Sequence, residues 1–419
     1  MGNWYLLSLF EKILRIFIIF IMMKSNIKTQ NKKNVIYLGL TSLFVDISSE
    51  MIFTVMPIFL KNVLGASYAI VGFIDGISEI TANILKYVSG EISDFIQKRK
   101  LLTIIGYSFS AISKIFFALA NSWPFVLVFR VFDRVGKGIR TSPRDALIKE
   151  SVPAEETGKW FGFHRSMDTA GAFIGVFLSI VILYYLTNFQ HFNLEKTIRT
   201  ILFFSVIPAF IGIIFLFLVK EPKSTELTTK KNLFEFKSFS KNYYLLILIF
   251  SLFSLGNISY SFYLLKAQTL IQSIYFLPIL YLIYNLFYML SSYPAGKLSD
   301  KIGREKVLIF GFLLLFFVLL FMAYLNSLIL LFPIFAFLGI TAGIYDGTSK
   351  AFISDLIKKE VSGGAFGFYY MITGICTLIG NSLFGFIWDR IGNQVSFLIS
   401  AIIILIATLT FFFLRNRLK

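Results

Sequence analysis

The sequence has little of the chemistry on which soluble enzymes and metal-binding proteins most often rely. One cysteine, Cys376, permits no internal disulfide and no cysteine-based metal site, and two histidines in 419 residues argue against a histidine-rich site. We therefore expect no bound metal and no cofactor. Only 15% of the residues are charged, whereas a soluble domain has about 25%. With 57% hydrophobic residues and a mean hydropathy of +0.76, too few polar side chains exist to cover a water-facing globule.

Long apolar runs occupy most of the chain. A helix that crosses a bilayer needs about 20 apolar residues, and only helices or closed barrels satisfy their backbone polar groups in hydrocarbon. Barrel strands alternate over about 10 residues, whereas these runs are continuous. The predicted fold class is therefore an all-α multi-pass membrane protein with twelve transmembrane helices. The spans lie near residues 35–60, 67–89, 101–120, 123–143, 160–186, 200–219, 243–265, 273–295, 307–325, 328–349, 365–388 and 395–414.

Basic residues are distributed unevenly around these spans, and the net charge is +17. If the N-terminus is inside, 27 lysines and arginines near the span ends face the cytoplasm and five face outwards. This bias follows the positive-inside rule, so the excess of base indicates topology and not a nucleic-acid partner. We expect a monomeric protein of the plasma membrane, in contact with the lipid bilayer, with both termini in the cytoplasm.

Two polar stretches suggest how the chain is divided. Residues 1–33 precede the first span, and charged residues interrupt their apolar part at 1–22. This segment is a cytoplasmic tail or an interfacial helix, unless translation starts at Met22 or Met23. The longest polar loop separates six spans from six. We expect an N-terminal bundle at 34–219, a linker at 220–242 and a C-terminal bundle at 243–419.

An internal repeat relates the two halves. Two segments and two single glycines recur in the second half at an offset of 205 or 206 residues. Because polar loop residues match as well as glycines, we favour duplication over chance similarity between helical hairpins. Two such halves about an axis along the membrane normal describe a transporter architecture. The matches are GEISDFIQKRK at 90–100 with GKLSDKIGREK at 296–306, GKWFGF at 158–163 with GGAFGF at 363–368, Gly138 with Gly343, and Gly175 with Gly380.

These motifs carry a resemblance to a known family. GKLSDKIGREK resembles the cytoplasmic loop motif of the major facilitator superfamily, of which the copy at 90–100 is a degraded version. Arg130 in FRVFDRVGKG resembles the arginine of the superfamily's span-4 motif, and Gly171 and Gly175 resemble its glycine-rich antiporter motif without the proline. The resemblance covers about residues 34–415 and implies the fold of that superfamily, two pseudo-symmetric six-helix bundles. DRVGKGIRTSPRDALI is similar to a prokaryotic branch without an assigned substrate.

The loop motif predicts a gate. Asp94 and Asp300 follow spans 2 and 8, where a carboxylate can pair with loop bases or cap a neighbouring helix. Such contacts would hold the halves together in an outward-facing state and break in an inward-facing one. A basic loop that only sets topology is the alternative. The predicted gating residues are Gly90, Asp94, Gly296, Asp300, Gly303 and Arg304.

Ionisable residues within the spans are concentrated in the first half, where six acids balance six bases, while the second half has one clear member, Asp346. Such groups are costly in a membrane and are functional candidates by default. Asp46 lies roughly 18 Å into span 1, near the midplane, where transporter sites lie. These residues bind substrate or protons, or form a buried network that holds the first half together. The predicted substrate or proton-coupling residues are Asp46, Glu50, Arg130 and Asp133, and the predicted supporting network is Asp75, Glu79, Arg134, Lys137, Arg165 and Asp168.

The second half is rich in tyrosine from span 7 onward. In a chain with 50 phenylalanines, we expect mainly lipid-facing and interfacial packing from these rings. An apolar wall for a hydrophobic or amphipathic ligand is the alternative. The residues are Tyr260, Tyr263, Tyr281, Tyr284, Tyr288, Tyr369 and Tyr370.

Three classes of function remain open. We predict a secondary transporter that exports a small organic molecule by alternating access coupled to protons, with proton-coupled uptake as the competitor. A lipid-modifying membrane enzyme would need acidic metal clusters at the surface, but most acids lie within spans, so we expect no enzyme. A channel or sensor is the third class. The chain has no phosphate-binding glycine loop, which disfavours ATP-driven transport.

Overall fold

The computed structural model describes residues 30–96, 98–152, 157–221, 239–271, 276–356 and 362–417. Within them, helices form twelve rods that follow the predicted spans in order, and we number the rods accordingly. The sixth and seventh rods each consist of two segments. The rods are α1 (Gln30–Ile58, continued by a π-helical turn at Phe59–Val63), α2 (Tyr68–Ile96), α3 (Arg99–Leu119), α4 (Trp123–Glu150), α5 (Thr157–Asn188), α6a (Leu194–Phe204), α6b (Val206–Leu218), α7a (Lys241–Gly256), α7b (Tyr260–Gln268), α8 (Phe276–Ile302), α9 (Arg304–Ala323), α10 (Leu328–Leu356), α11 (Ser362–Arg390) and α12 (Asn393–Leu414).

Eleven of these rods are long and apolar enough to cross a membrane. The remaining rod, α4, has 28 residues, which makes it about 42 Å long. It falls short only in apolarity, because basic residues occupy its inner side. The predicted twelve-helix, multi-pass fold class is therefore confirmed.

The end of α4 corrects the sequence-based boundary. The predicted span stops at residue 143, where a serine and a proline interrupt the apolar run, but the helix continues through Pro143 to Glu150. Pro143 itself is buried. As a result Arg144, which lies beyond the predicted span, is a helical residue. Arg140, which we counted among the cytoplasmic bases at the span end, is buried against the ring of Tyr107.

The two polar segments that suggested the domain boundaries are only partly described. The predicted N-terminal segment, 1–33, lies outside the described residues up to residue 29, and α1 begins at Gln30. The predicted linker, 220–242, lies outside them over 222–238. The bundle limits therefore remain predictions.

The internal repeat is visible in how the helices pack. A Cβ atom at Gly175 of α5 would lie 2.4 Å from the carbonyl oxygen of Ile47 on α1. A Cβ at the matching Gly380 of α11 would lie 2.3 Å from the carbonyl oxygen of Leu255 on α7a. The same close approach thus joins the first and fifth helices of each half.

The two halves meet along two helix pairs. α2 packs along α11, and α5 packs along α8. Gly76 brings the first pair close together, because a Cβ there would lie 2.6 Å from the Cα of Leu378. Small residues of this kind permit close helix packing in membranes.

One end of the molecule carries most of the charged helix termini, and we call it the basic end. Arg99 at the start of α3 pairs with Glu150 at the end of α4 at 2.8 Å. Arg304 at the start of α9 pairs with Asp355 near the end of α10 at 3.1 Å. Both residues of the second pair follow those of the first by 205 positions, so the repeat includes an ion pair that no motif comparison indicated. We call the other end, which contains Tyr68 and Asp389, the opposite end.

Candidate substrate and coupling site

Helix α4 places two arginines in the middle of the molecule. Arg130 is 3% exposed, and Arg134, one turn further along, is also buried. Both guanidinium groups lie over the ring of Phe53 on α1, with Cζ 4.4 Å and 4.9 Å from the ring centroid. This ring therefore fixes two like charges side by side, an arrangement that anions must compensate.

Asp133 compensates only one of these arginines. The hydroxyl of Ser110 on α3 donates a hydrogen bond to Asp133, and Arg134 Nε lies 3.5 Å from Asp133 Oδ2. Arg130 has no ion pair within 4.0 Å among the described residues, and its Nε has no hydrogen-bond acceptor there. Asp133 thus serves the contact between α3 and α4, while Arg130 remains available.

The predicted acids of α1 face the second half. Asp46 and Glu50 are half-buried and one turn apart, and the side chain of Asp46 packs towards Gly171 of α5. The hydroxyl of Tyr281 on α8 lies beside the Glu50 carboxylate. Glu50 Oε2 is buried and has no hydrogen-bond partner among the described residues. One of the two Glu50 carboxylate oxygens is therefore an acceptor without a donor among these residues.

Asp75 belongs to a feature that the sequence did not reveal, a break in α7. The Ser259 hydroxyl donates a 2.5 Å hydrogen bond to Asp75 Oδ2, and Asn381 Oδ1 accepts a 2.7 Å hydrogen bond from the Ser259 backbone N–H. Backbone groups freed at membrane depth need such partners. Asp75 on α2 thus reaches the broken helix of the other half. The signal for the break was the dipeptide Gly256-Asn257 within an apolar run.

Further along α2, a chain of polar contacts faces the second half. Asn83 donates a 3.2 Å hydrogen bond to Glu79 and accepts a 3.0 Å one from Lys86. Lys86 Nζ lies 5.8 Å from the ring centroid of Tyr370 on α11. Lys137 of α4 is half-buried and lies close enough to Glu79 for the two charges to attract each other.

A second polar chain crosses between the halves through α5 and α8. His164 Nδ1 and Arg165 Nη1 lie 3.6 Å and 3.9 Å from Asp168. Arg165 Nη2 also lies 3.5 Å from the Tyr288 hydroxyl, which donates a 2.9 Å hydrogen bond to Asp346 on α10.

The series of contacts that runs from Arg165 through Tyr288 to Asp346 ends in an ion pair within α10. Lys350 Nζ is 2.6 Å from the other oxygen of Asp346. The side chains of Arg165 and Asp346 are 65% and 45% exposed. Water therefore reaches these contacts, although they link α5 of the first half to α8 and α10 of the second. Asp346, the one acid predicted within the second half, thus belongs to a network shared by both halves.

The tyrosines of α7b and α8 correct another expectation. Ring centroids of Tyr260 lie 4.6 Å from Tyr281 and 5.1 Å from Tyr284, and those of Tyr284 and Tyr288 are 6.3 Å apart. Their contacts with Glu50 and Arg165 place this tyrosine row, Tyr260, Tyr281, Tyr284 and Tyr288, at the interface between the halves. The expectation that these four rings mainly face lipid is wrong, because they supply the wall opposite the charges.

The charge count also changes with the structure. Six acids and six bases were expected to balance in the first half, but α4 also holds the uncounted Arg140. The extension of α4 beyond residue 143 adds two bases and two acids, Arg144, Asp145, Lys149 and Glu150. Arg144 pairs with Asp145 at 2.8 Å, whereas Arg140 Nη1 is buried without a hydrogen-bond partner among the described residues. The interior of the first half therefore holds more base than the sequence indicated.

The predicted gating motif is described best in the second half. Asp300 pairs with Arg304, which also binds Asp355, and all three line a cavity of about 440 Å³ at the basic end. Gly303 has φ +103°, a backbone conformation that favours glycine and turns the chain into α9. These contacts lie within one half, so the predicted role of Asp300 between the halves stays a prediction.

The first copy of the motif is less complete. Gly90 faces Ser142 of α4, and Gly296 of the second copy faces open space. The side chain of Asp94 lies outside the described residues. Glu221, after α6b, accepts hydrogen bonds from the backbone N–H groups of Arg99 and Lys100 at 2.8 Å and 3.0 Å, a cap of α3 that the motif did not predict.

At the opposite end, the halves are joined by residues that sequence reasoning missed. The backbone N–H groups of Tyr68 and Ala69 donate hydrogen bonds of 3.0 Å and 2.8 Å to the two carboxylate oxygens of Asp389. The ring of Tyr68 also stacks on Trp388 at 4.3 Å. These contacts join the start of α2 to the end of α11, so the opposite end is closed here.

Comparisons with known proteins agree with this architecture. The family model described as Major Facilitator Superfamily matches residues 38–274 and 267–419. An uncharacterised MFS-type transporter of Methanocaldococcus jannaschii is 37% identical over 391 residues, which cover 91% of this chain and 95% of the relative.

Solved structures share the fold at low identity. The crystal structure of a bacterial homologue of the human lysosomal transporter Spinster, in an inward-facing and occupied conformation, matches with a TM-score of 0.76 at 15% identity and covers 91% of this chain and 96% of that one. The D-xylose–proton symporter matches with a TM-score of 0.70 at 15% identity, covering 90% of this chain and 96% of that one. These likenesses show the fold, two six-helix bundles, and the family match shows the membership. The chain is a multi-pass membrane transporter of the major facilitator superfamily.

Proposed function

We propose that the protein is a secondary active transporter that exports a small organic solute from the cytoplasm in exchange for protons. The observation that carries this proposal is the central interface, where Glu50 of α1 and Arg130 of α4, neither of them in an ion pair among the described residues, lie near Tyr281 of the tyrosine row. A site between two halves at the midplane is where alternating access needs it.

The proposed proton carriers are Asp46 and Glu50. Both are half-buried acids of α1, and neither has a basic partner within 4.0 Å among the described residues. An acid without a fixed counter-ion can gain and lose a proton without breaking an ion pair. The polar chain from Arg165 through Tyr288 to Asp346 gives the second half a way to respond to a charge change in the first.

The proposed orientation places the basic end in the cytoplasm, as the positive-inside bias favours. The plasma membrane is the proposed location, and a monomer with no enzymatic activity is the proposed working form. The closed opposite end then corresponds to a state open to the cytoplasm, ready to take up a solute for export. The gating residues Asp94 and Asp300 would act in the alternate state.

The experiment uses the full-length protein in lipid vesicles that contain a pH-sensitive dye. Solutes that raise the melting temperature of the purified protein are added under an imposed pH gradient. We expect such a solute to release protons across the membrane in wild-type vesicles, and Asp46→Asn to abolish this while folding normally. Glu195→Gln, which changes an acid of the α6a surface pair with Arg199, is the matched control. Solute flux without proton flux, or unchanged coupling in Asp46→Asn, would contradict the proposal.

A further inference from the structure

The central site holds buried hydrogen-bond donors that the protein does not satisfy. Arg130 Nε and the hydroxyl of Tyr260 have no hydrogen-bond partner among the described residues, and Arg134 Nε has only its ion-pair contact with Asp133 at 3.5 Å. Two carboxylate oxygens of the first half, Glu50 Oε2 and Asp168 Oδ1, also lack a partner there. Buried polar groups are almost always paired. The guanidinium of Arg130 can only donate hydrogen bonds, so a group that binds it must supply an acceptor.

Asp75 and Asp133, the acids near Arg130, already accept hydrogen bonds from serine hydroxyls. Arg130 is buried beside another cation, Arg134, and Asp133 is already engaged by Ser110 and Arg134. The ring of Phe53 contacts both guanidinium groups, with Cζ atoms 4.4 Å and 4.9 Å from its centroid. A guanidinium group presents N–H donors in a planar fork that matches the geometry of a carboxylate or a related anion.

The wall across the interface has a different chemistry. Tyr260, Tyr281 and Tyr284 form one aromatic cluster with centroid separations of 4.6 to 6.0 Å. The hydroxyl of Tyr281 is also close enough to Arg130 for its dipole to interact with the guanidinium charge. Aromatic faces offset by such distances accept a further ring by stacking or edge contact, so an anionic group at Arg130 would have its body beside these rings.

We propose that the transported solute is an organic anion that carries an aromatic ring, with its anionic group on Arg130 and Arg134 and its ring against Tyr260, Tyr281 and Tyr284. This proposal rests on the proposed transport function, which it deepens by naming a substrate class. The acids Asp46 and Glu50, two turns and one turn from Phe53 on α1, keep their separate role as proton carriers.

Binding of defined probes to the purified full-length protein tests the substrate class without any transport step. The aromatic anions are benzoate, 2-naphthoate and indole-3-acetate. The matched probes are benzylammonium and 2-naphthylmethylammonium, which invert the charge, and cyclohexanecarboxylate, which removes the ring. Melting temperature and tyrosine fluorescence report binding. We expect at least one aromatic anion to bind, its cationic counterpart not to bind, and cyclohexanecarboxylate to bind about tenfold more weakly than benzoate.

Variants locate the bound anion. Arg130→Gln should weaken binding of the best aromatic anion about tenfold or more, because a charged hydrogen-bond partner is lost, and Arg130→Lys should weaken it less. Arg199→Gln, an arginine of the opposite end that is paired with Glu195, should bind as wild type. If Arg130→Gln does not fold, the comparison of anions with cations on the wild-type protein still decides the charge preference.

Three outcomes would overturn the substrate class: no aromatic anion binds, the cations bind as well as the anions, or Arg130→Gln binds the anion unchanged. Failure of the transport proposal looks different. An aromatic anion that binds but never crosses vesicle membranes would overturn transport and leave the ligand class standing. Proton-coupled flux of a cation or a neutral solute, without anion binding, would support the transport proposal and overturn the proposed ligand class.

Discussion

The Asp389 carboxylate caps the helix that begins at Tyr68, although the two residues belong to different halves of the protein. Both carboxylate oxygens accept backbone hydrogen bonds, from Tyr68 and from Ala69, at 3.0 Å and 2.8 Å. An anion at a helix N-terminus is favoured by the helix dipole. This cap therefore ties the two halves together at the opposite end.

Removing the cap should open the opposite end more often. Hydrogen bonds to a charged group are worth about 1.5–3 kcal/mol, so Asp389→Ala should raise the open population about tenfold or more. In a Cys376→Ser background, Ala69→Cys should then react faster with a membrane-impermeant maleimide when Asp389 is also replaced by alanine. Glu195→Ala, which removes an acid of the same end paired within one half, is the control. Equal labelling rates in the two backgrounds would show that Asp389 does not hold this end closed.

The glycines at the matching helix crossings, Gly175 and Gly380, should contribute equally to the stability of the two halves. A Cβ at Gly175 or Gly380 would lie within 2.4 Å of a backbone oxygen, so alanine there forces α5 from α1, or α11 from α7a. Such overpacking costs about 1–3 kcal/mol, and we expect a clear drop in melting temperature for each variant. Gly296→Ala in α8 is the matched control, since nothing lies within 4 Å of its Cβ position. A drop in only one half would argue against equivalent packing.

The Tyr288 hydroxyl should couple the two halves without holding the fold together. Tyr288→Phe removes the hydrogen bond to Asp346 and the contact with Arg165, a net loss of about 0.5–1.5 kcal/mol in stability. We expect a small change in melting temperature but a large drop in the rate of proton-driven solute flux. Tyr324→Phe, on an exposed side chain at the end of α9, should leave the flux rate unchanged. If Tyr288→Phe transports at the wild-type rate, the contacts from Arg165 through Tyr288 to Asp346 have no part in the mechanism.

Much of the fold was predictable because hydropathy and a repeat are local signals. Apolar runs mark twelve rods, and matching glycines at Gly175 and Gly380 mark equivalent crossings. The end of α4 was misplaced because Pro143 reads as a helix breaker, whereas tertiary packing keeps the helix intact. The break in α7 was missed because its partners, Asp75 and Asn381, lie far away in the sequence.

The candidate site was predictable in one half only. Spacing of one helical turn identifies Asp46 with Glu50 and Arg130 with Arg134, because such pairs share a helix face. The groups that face these pairs from the other half depend on how the two bundles pack together, and residue spacing within one helix carries no information about that packing. The positions of Tyr281 beside Glu50 and of Asp389 beneath Tyr68 therefore appeared only in the structure.

Reciprocal movement of the two ends tests rocking of the bundles most directly. Spin labels at exposed positions would report it by pulsed electron spin resonance, with one pair at Asn62 and Gln394 of the opposite end and another at Lys149 and Lys301 of the basic end. When Asp389→Ala is introduced, we expect the first distance to lengthen and the second to shorten. A first distance that lengthens while the second stays fixed, or lengthens as well, would contradict alternating access by two rigid halves.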